Sequence, residues 1–332
     1  MSNVELVAHW IPRFLRDHVL QERNLSKNTQ KGYRDSLEQL LVYLSQKCGK
    51  PIDSLALDDI SPERVKIFLQ YLEQERKNSI ATRNQRLAAL HAWARFVGNT
   101  HSEYLEWCNE IRSIPFKKTI QNPREYLEKE EMDALLNAPD RANTQGRRDY
   151  ALMLFMYNTG TRADEVAHLT IDDLHLNDVQ PCVRILGKGN KVRNCPLWPL
   201  TVRTLAPLIV GRDAQERVFL NRRKQPITRF GIFAVVKRYA LKAGESTPAL
   251  LQKRVGPHTI RHTTACHLLK AGVDINTVRA WLGHVSIDTT NVYAQIDLEM
   301  KTKALRHCEI FEKTPRKCWK GKNRVLQFLR SL

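Results

Sequence analysis

Six polar residues between positions 162 and 293 have side chains suited to chemistry at a phosphate group: Arg162, Lys188, His258, Arg261, His284 and Tyr293. A guanidinium group binds two oxygens of one phosphate, and a histidine can move a proton near neutral pH. A lysine can donate a proton to a leaving oxygen, and a tyrosine hydroxyl can act as a nucleophile. Such a set would form a covalent phosphotyrosine without a metal or another cofactor.

Arg162 and Lys188 lie in contexts that would mean little on their own. Arg162 follows "NTGT" and begins a helix that places Glu165 three residues later on the same face. Most arginines in a first helical turn are solvated, so Arg162 alone is a weak signal. Glu165 can orient the arginine or be an ordinary surface acid. Lys188 lies in the glycine-rich turn "GKGN", before Lys191 and Arg193, and lysines are common in surface turns.

The segment "GPHTIRHTTACHLLKAG" carries a stronger signal. Pro257 suits the start of a helix, and His258 and Arg261 then stand three residues apart on one face. A rival interpretation is a metal-binding stripe, because His258, His262 and Cys266 fall at i, i+4 and i+8, with His267 adjacent to the last of them. Zinc usually gathers ligands from more than one element, so core packing explains Cys266 better.

The segment "AWLGHVSIDTTNVYAQ" contains the last two of the six residues. Gly283 ends a helix, so His284 is expected to project from the turn. Ser286 and Asp288 suit the start of a short helix whose second turn carries Tyr293. A tyrosine at such a position is usually core or surface filler. The presence of two arginines, two histidines and a lysine favours a nucleophile instead.

The elements that must position these residues are mostly helical. From residue 4 to about 112, helices are predicted to begin at Ser26 and at Ser61–Pro62, and a third helix follows Ser79. Their predicted buried faces are Tyr33, Leu37, Leu40, Leu41 and Leu44; Val65, Phe68, Leu69 and Leu72; and Leu87, Leu90 and Trp93 or Ala94. Three cations near the start of the third helix are expected to be free, either solvated or in contact with phosphates: Lys77, Arg83 and Arg86.

A basic segment with two prolines and no periodicity, "IPFKKTIQNPR", is predicted to be the linker between two domains. Beyond it, "YLEKEEMDALLNA" resumes helical spacing, and an apolar helix breaks at Thr159 and Gly160 before a new helix begins. The clear β signal is "PCVRILGKGNKVRNCPLW", which predicts a two-stranded hairpin. After Gly272, "DINTVRAWL" predicts a helix with Val278, Trp281 and Leu282 facing inward.

Composition limits the classes of function. A chain of 332 residues is expected to form two domains. Lysine and arginine outnumber aspartate and glutamate by 53 to 35, and a formal charge of +18 favours a polyanionic partner, with nucleic acid ahead of a membrane surface. The seven cysteines include no C-x-x-C pair, and neither a membrane span nor a signal peptide is recognised. A reduced, cytoplasmic protein is the expectation.

Four motifs, in this order, resemble the tyrosine recombinase (phage integrase) family: "TGTRADEV", "GKGNKVR", "HTIRH" and "LGHVSIDTTNVY". The resemblance implies a mainly α fold of the DNA breaking-rejoining type. Residues 1–113 would form a helical core-binding (SAM-like) DNA-clamp domain, followed by a basic linker at 114–124. Residues 125–305 would form a mostly helical catalytic domain with a small antiparallel β-sheet, and residues 306–332 a basic amphipathic tail.

The resemblance also implies roles for the six polar residues. Arg162 and Arg261 would neutralise charge on the phosphate, and His284 would add a donor. Tyr293 would attack and stay joined to the 3′ phosphate, Lys188 would protonate the departing 5′ oxygen, and His258 would assist proton transfer. Glu165 matches the acidic position beside the first arginine. The sequence departs from the family at Ile260, where leucine is usual, and in its long tail.

The function implied is site-specific recombination of double-stranded DNA, by a homo-tetramer on paired sites, with sister recombinases or a DNA-bending protein as further partners. A mobile element is the expected setting, with resolution of chromosome or plasmid dimers as the alternative. Two other hypotheses are a type IB topoisomerase, which uses similar chemistry on one duplex, and a DNA-binding accessory protein without catalytic activity. The accessory protein would need none of the six polar residues.

Overall fold

The computed structural model describes residues 6–119, 125–187 and 189–283. The chain divides into two compact units at the junction of Asn122 and Pro123. In the first unit the helices are α1 (Val7–Pro12), a π-helix (Arg13–Glu22) that continues it, α2 (Lys27–Cys48), α3 (Pro62–Gln74), α4 (Ile80–Thr100) and α5 (Leu105–Ser113). Short 3-10 helices lie at Ile52–Ser54, Leu57–Asp59 and Ser102–Tyr104.

Serine side chains begin the three long helices of this unit, as predicted. The hydroxyls of Ser26, Ser61 and Ser79 accept hydrogen bonds from backbone amides in the first turns of α2, α3 and α4. Each hydroxyl satisfies an amide that has no partner inside the helix, which contributes about 1 kcal/mol. Pro62 occupies the first position of α3, and Gly49 ends α2 in the left-handed region at φ 65°.

The predicted buried faces of these helices meet in one apolar core. Tyr33 is only partly buried, and the other predicted core residues are buried: Leu37, Leu40, Leu41, Leu44, Val65, Phe68, Leu69, Leu72, Leu87, Leu90, Trp93 and Ala94. Both Trp93 and Ala94 are inside, although the sequence pattern left a choice between them. Burial of one such large side chain contributes about 1.5–3 kcal/mol, so the helical spacing accounts for the association of these helices.

The prediction that the cations near the start of α4 are free was wrong for Arg83 and Arg86. Arg83 is 6% exposed; its Nε lies 3.6 Å from Oε1 of Glu73, and its Nη1 donates to the carbonyl of Pro115 at 3.1 Å. Arg86 Nη1 donates to the hydroxyl of Ser36 at 3.1 Å. Packing of α3, α2 and residue 115 against α4 supplies partners that helical periodicity cannot reveal. Lys77 is exposed.

The start of the predicted linker lies against the first unit. Ile114 is buried, and the Lys117 amide donates to Oδ1 of Asn84 at 3.1 Å. Asn84 Nδ2 donates to the carbonyl of Lys117 at 2.8 Å, and Lys117 Nζ donates to Oε2 of Glu73 at 2.8 Å. These contacts hold the backbone at residues 114 to 117, while residues 120–124 lie outside the described part of the chain.

The second unit contains α6 (Lys129–Asn137), α7 (Thr144–Thr159), α8 (Ala163–His168), α9 (Pro199–Ile209), α10 (Arg229–Gly244), α11 (Pro257–Lys270) and α12 (Ile275–Leu282). Short 3-10 helices lie at Ile171–Asp173 and Pro248–Gln252. Helix α7 is central, since every residue from Tyr150 to Thr159 is buried. The mainly α fold predicted from the sequence is therefore confirmed.

A small antiparallel sheet lies in this unit, with strands β1 (Leu174–His175), β2 (Cys182–Leu186) and β3 (Val192–Pro196) in that order. The predicted hairpin is β2–β3, paired so that Val183 faces Cys195 and Leu186 faces Val192. Val183, Ile185 and Cys195 point into the core. Strand β1 was not predicted, because two residues are too few to show an alternating pattern.

No helix among the described residues is long and apolar enough to cross a membrane.

Candidate active site

A glycine turn positions Arg162. Gly160 ends α7 in the left-handed region at φ 61°, where a side chain is strained. A Cβ atom at this position would also lie 2.4 Å from Cδ2 of Leu282. Arg162 is the residue before the first turn of α8, and its side chain is 31% exposed. The chain therefore turns directly from a buried helix to a guanidinium group that reaches solvent.

Glu165 holds Arg162 in place from the first turn of α8. Its Oε1 accepts from Nη1 of Arg162 at 2.8 Å, and its Oε2 accepts from the Arg162 amide at 2.9 Å. The Glu165 side chain is 6% exposed. Burial opposes the charged carboxylate, but hydrogen bonds from Arg193 and Arg162 outweigh it and hold the pKa of Glu165 below its ordinary value. Glu165 is therefore an ionised group that orients Arg162.

Arg193 on β3 is the second partner of Glu165. Its Nη2 donates to Oε2 at 2.7 Å and its Nη1 donates to Oε1 at 3.2 Å, and its side chain is 9% exposed. The sequence analysis named Arg193 only as a cation that follows Lys188. A usable signal was present, since Arg193 lies two residues before the buried Cys195 and alternation along a strand places both on one face.

Arg261 on α11 connects the ends of two other helices. Its side chain is buried, with Arg261 3% exposed. Nη1 donates to the carbonyl of Gly160 at 2.6 Å, and Nη2 donates to the carbonyl of Leu282 at 2.7 Å. These carbonyls lie at the C-terminal ends of α7 and α12, where a cation is favoured by the helix dipole. Arg261 therefore reaches the same Gly160–Arg162 turn that carries Arg162.

Helix α12 begins and ends as the sequence predicts. Asp274 accepts from the amides of Asn276 and Thr277, and Gly283 ends the helix in the left-handed region at φ 65°. Val278 and Leu282 are buried, and Trp281 is partly buried with its Nε1 donating to the carbonyl of Asn158 at 3.3 Å. The end of α12 is thus fixed to α7 and to Arg261, immediately before residue 284.

His258 is exposed near the start of α11, one turn before Arg261. Cys266 of the alternative metal stripe is 4% exposed and packs in an apolar cluster with Leu269 and Val278, as core packing predicts. His267 Nδ1 lies 2.7 Å from the hydroxyl of Tyr157, and burial lowers the pKa of His267. Within residues 6–119, 125–187 and 189–283, no three His, Cys, Asp or Glu side chains are grouped so that they could hold a metal ion.

Several predicted features lie outside the described residues: Lys188, His284, Tyr293, the short helix predicted from Ser286 and Asp288, and the tail at 306–332. The residues that flank Lys188 are described. Gly187 follows the last residue of β2, while Gly189 and Asn190 have φ values of 76° and 57° in a turn of the hairpin. The structure therefore brings together Arg162, Glu165 and Arg261, and it adds Arg193.

The sequence models of two families match most of the chain. Residues 125–300 match the phage integrase family, and residues 11–99 match the N-terminal SAM-like domain of phage integrases. The chain belongs to the phage integrase family of tyrosine recombinases. Its activity is that of a tyrosine-type site-specific DNA recombinase. The predicted combination of a SAM-like unit and an integrase catalytic unit is likewise confirmed.

Two curated relatives illustrate the similarity of this recombinase to known proteins. A "Putative integrase/recombinase y4rC" of Sinorhizobium fredii is 32% identical over 335 residues, which cover 100% of both chains. "Tyrosine recombinase XerD" of Chlorobaculum tepidum is 31% identical over 294 residues, which cover 85% of this chain and 90% of the relative. Both similarities include residues of each unit.

Solved structures of recombinases share the fold. XerH bound to its difH substrate in a pre-cleavage complex has a TM-score of 0.65 at 23% identity, covering 89% of this chain and 84% of that one. A lambda integrase tetramer bound to a Holliday junction has a TM-score of 0.62 at 16% identity, covering 88% and 78%. At these identities the likeness concerns the fold alone.

Proposed function

We propose that this recombinase exchanges strands between two duplex DNA sites through a covalent 3′-phosphotyrosine on Tyr293. Arg162, Lys188, His258, Arg261 and His284 would serve the reaction around that tyrosine, and Glu165 would support Arg162. The observation that carries the proposal is that two arginines are fixed at the turn from Gly160 to Arg162. Glu165 holds the side chain of Arg162, and the carbonyl of Gly160 accepts a hydrogen bond from Arg261. Two guanidinium groups fixed at one turn suit the two non-bridging oxygens of a phosphodiester.

The proposed chemistry balances without an external source of energy. The Tyr293 oxygen forms a bond to phosphorus as the bond from phosphorus to the 5′ oxygen breaks, and the phenolic proton leaves by way of His258 or solvent. Lys188 gives a proton to the departing 5′ oxygen. Arg162, Arg261 and His284 stabilise the charge that grows on the non-bridging oxygens. A 5′ hydroxyl from the other duplex then reverses these steps, so the phosphodiester bond energy is conserved.

The partner is proposed to be double-stranded DNA, with four copies of this chain assembled on a pair of sites. The formal charge of +18 supports a polyanionic partner, as do the DNA-bound XerH and lambda integrase structures. The lambda structure is a tetramer on a Holliday junction, which supports the same assembly here. Sister recombinases or a DNA-bending protein are predicted as further partners of the assembly.

A mobile element is the proposed biological setting, because the relative that aligns along the full chain carries the description "Putative integrase/recombinase y4rC". Resolution of chromosome or plasmid dimers is the second candidate. The two settings differ in the DNA that is used. A target in the termini of a transposable segment supports the first, and a single site on the chromosome or plasmid supports the second.

The test begins by mapping the target. Sheared DNA from the native host is incubated with the protein, the covalent complexes are captured, and the 3′ ends joined to protein are sequenced. Two differently labelled duplexes that carry the recovered site are then mixed with the enzyme. We expect products that join one label to the other. Cleavage and religation within each duplex alone would indicate a topoisomerase, and complete absence of covalent complexes would indicate an accessory protein.

Replacement of Lys188 by alanine is expected to slow cleavage by about 10²–10⁴-fold, the usual contribution of general acid catalysis. Much of that loss should disappear when sulfur replaces the bridging 5′ oxygen, because a thiolate leaves without a proton. Single-turnover cleavage of the two substrates measures the effect. Lys191→Ala is the matched control on the same hairpin, since Lys191 is exposed and its carbonyl accepts a hydrogen bond from the Gly187 amide at 2.8 Å, which the substitution keeps. If the sulfur substrate rescues Lys191→Ala and does not rescue Lys188→Ala, the assignment of the general acid to Lys188 is wrong.

A further inference from the structure

Arg193 forms a four-bond junction with Glu165 and Arg162 in the interior of the second unit. Each carboxylate oxygen of Glu165 accepts one hydrogen bond from each arginine: Oε1 from the two Nη1 atoms, at 2.8 and 3.2 Å, and Oε2 from the Arg162 amide and Arg193 Nη2, at 2.9 and 2.7 Å. Arg162 reaches solvent, whereas Arg193 and Glu165 do not, with side chains 9% and 6% exposed. The arginines therefore differ in what they can touch.

We propose that Arg193 is a positioning residue that balances the charge of Glu165, so that Arg162 presents an uncompensated positive charge to the DNA phosphate. This inference rests on the proposed role of Arg162 at the phosphate. The junction holds two guanidinium groups and one carboxylate, and its net charge is +1. Without Arg193, the carboxylate that orients Arg162 would also cancel its charge, and the neutral pair would attract a phosphate less strongly.

The surroundings of Arg193 agree with an indirect role. A Cβ atom at Gly187 would lie 3.3 Å from Nη1 of Arg193, and a Cβ at Gly283 would lie 3.2 Å from its Cδ and Nη1. The Arg193 side chain is thus packed beneath the backbone at two glycines and faces Glu165 with both terminal nitrogens. A guanidinium in this position acts through its neighbours. Since burial favours a neutral carboxyl, the lowered pKa of Glu165 also requires compensating positive charge.

A double-substitution experiment separates charge balance from simple packing. Single-turnover formation of the covalent complex is measured for the wild type, Glu165→Gln, Arg193→Met and Glu165→Gln/Arg193→Met. We expect Arg193→Met to slow the step by about 10- to 100-fold, which is less than the loss of about 10²–10³-fold for a donor that touches the transition state, because Arg193 acts through Arg162. The double variant should be faster than Arg193→Met and similar to Glu165→Gln, because no carboxylate charge is left to balance. A double variant as slow as Arg193→Met would overturn the proposal.

Arg193→Met leaves a buried carboxylate with one partner fewer, so this variant is the one most at risk of misfolding. If it does not fold, the comparison of Glu165→Gln with the double variant decides the matter: similar rates are expected, and a further loss of more than about tenfold in the double variant would refute charge balance. Arg184→Met is the matched control on β2, because Arg184 pairs with Asp173 at 3.1 Å and is 50% exposed. It should cleave at the wild-type rate, and thermal unfolding verifies the folded state of every variant.

A wild type that forms no covalent complex would overturn the proposed function and not the charge balance. The same variants are therefore also titrated with tungstate, an oxyanion that resembles phosphate, by calorimetry. Arg193→Met should bind it at least about tenfold more weakly than the double variant. Equal affinities for tungstate would count against the role of Arg193 whether or not the protein cleaves DNA.

Discussion

Replacing Tyr293 by phenylalanine is expected to abolish covalent attachment of the protein to DNA, with a loss of about 10³-fold or more in cleavage. Only the hydroxyl oxygen is removed, so the nucleophile is lost while the ring and the backbone stay the same. Affinity for a single duplex site should remain within about threefold of the wild type, because affinity for DNA arises mainly from contacts to many phosphates. Denaturing gels measure the covalent complex, and gel shifts measure binding.

A second tyrosine provides the control for this experiment. Tyr126 lies in the second unit and is partly buried, and its hydroxyl is hydrogen-bonded to Glu128 and Lys270, which are not among the proposed site residues. Tyr126→Phe should therefore form the covalent complex at the wild-type rate. Protein-linked 3′ ends that persist in Tyr293→Phe would refute the assignment of the nucleophile, and peptide mapping of the linked residue would identify the correct one.

Replacing Arg261 by methionine is expected to damage both the fold and the reaction. The change removes two hydrogen bonds from a charged donor, to the carbonyls of Gly160 and Leu282, and leaves both buried carbonyls with one partner fewer. Such bonds contribute about 1.5–3 kcal/mol each, so the free energy of unfolding should fall by about 3–6 kcal/mol. Cleavage should fall by about 10²-fold or more through loss of a guanidinium at the phosphate. Urea unfolding and single-turnover cleavage measure the two effects.

Arg212 is a suitable comparison because it also bonds to backbone carbonyls in the second unit. Its Nη1 donates to Leu208 and to Val218 at 3.0 Å, and its side chain is 18% exposed. Arg212→Met should lower the stability without slowing cleavage at a temperature where the variant remains folded. If Arg261→Met and Arg212→Met lose cleavage equally, the effect of Arg261 is structural alone. Unchanged cleavage in Arg261→Met would remove this residue from the active site.

Local sequence signals predicted the features that depend on local interactions. A serine accepts from an amide three residues later, and a glycine at the end of a helix adopts positive φ, so the starts of α2, α3 and α4 and the ends of α2 and α12 follow from a few adjacent residues. The pair Arg162–Glu165 is local in the same sense, with a separation of three residues on one helix face. The period of apolar residues then identified which faces form the core.

The sequence could not provide partners that are distant along the chain. Arg83 and Arg86 share their helix with surface positions, and only packing of α3, α2 and residue 115 shows that they bond internally. Arg193 meets Glu165 across 28 residues through the fold of the hairpin. Arg261 was expected to face a phosphate, yet its described bonds are to carbonyls 101 and 21 residues away. Charge pattern alone does not distinguish a solvated cation from a buried one.

The turn at Gly160 limits the routes by which this sequence can change. Two obstacles oppose any side chain there: the left-handed backbone, which costs an ordinary L-residue roughly 1–2 kcal/mol, and the close approach of Leu282. A smaller residue at position 282 would relieve the second obstacle and leave the first in place. No single change at another position therefore makes alanine acceptable at residue 160. Random mutagenesis with selection for activity would have to accept two substitutions that are each harmful on their own. The join between α7 and Arg162 is consequently among the least adaptable parts of the enzyme.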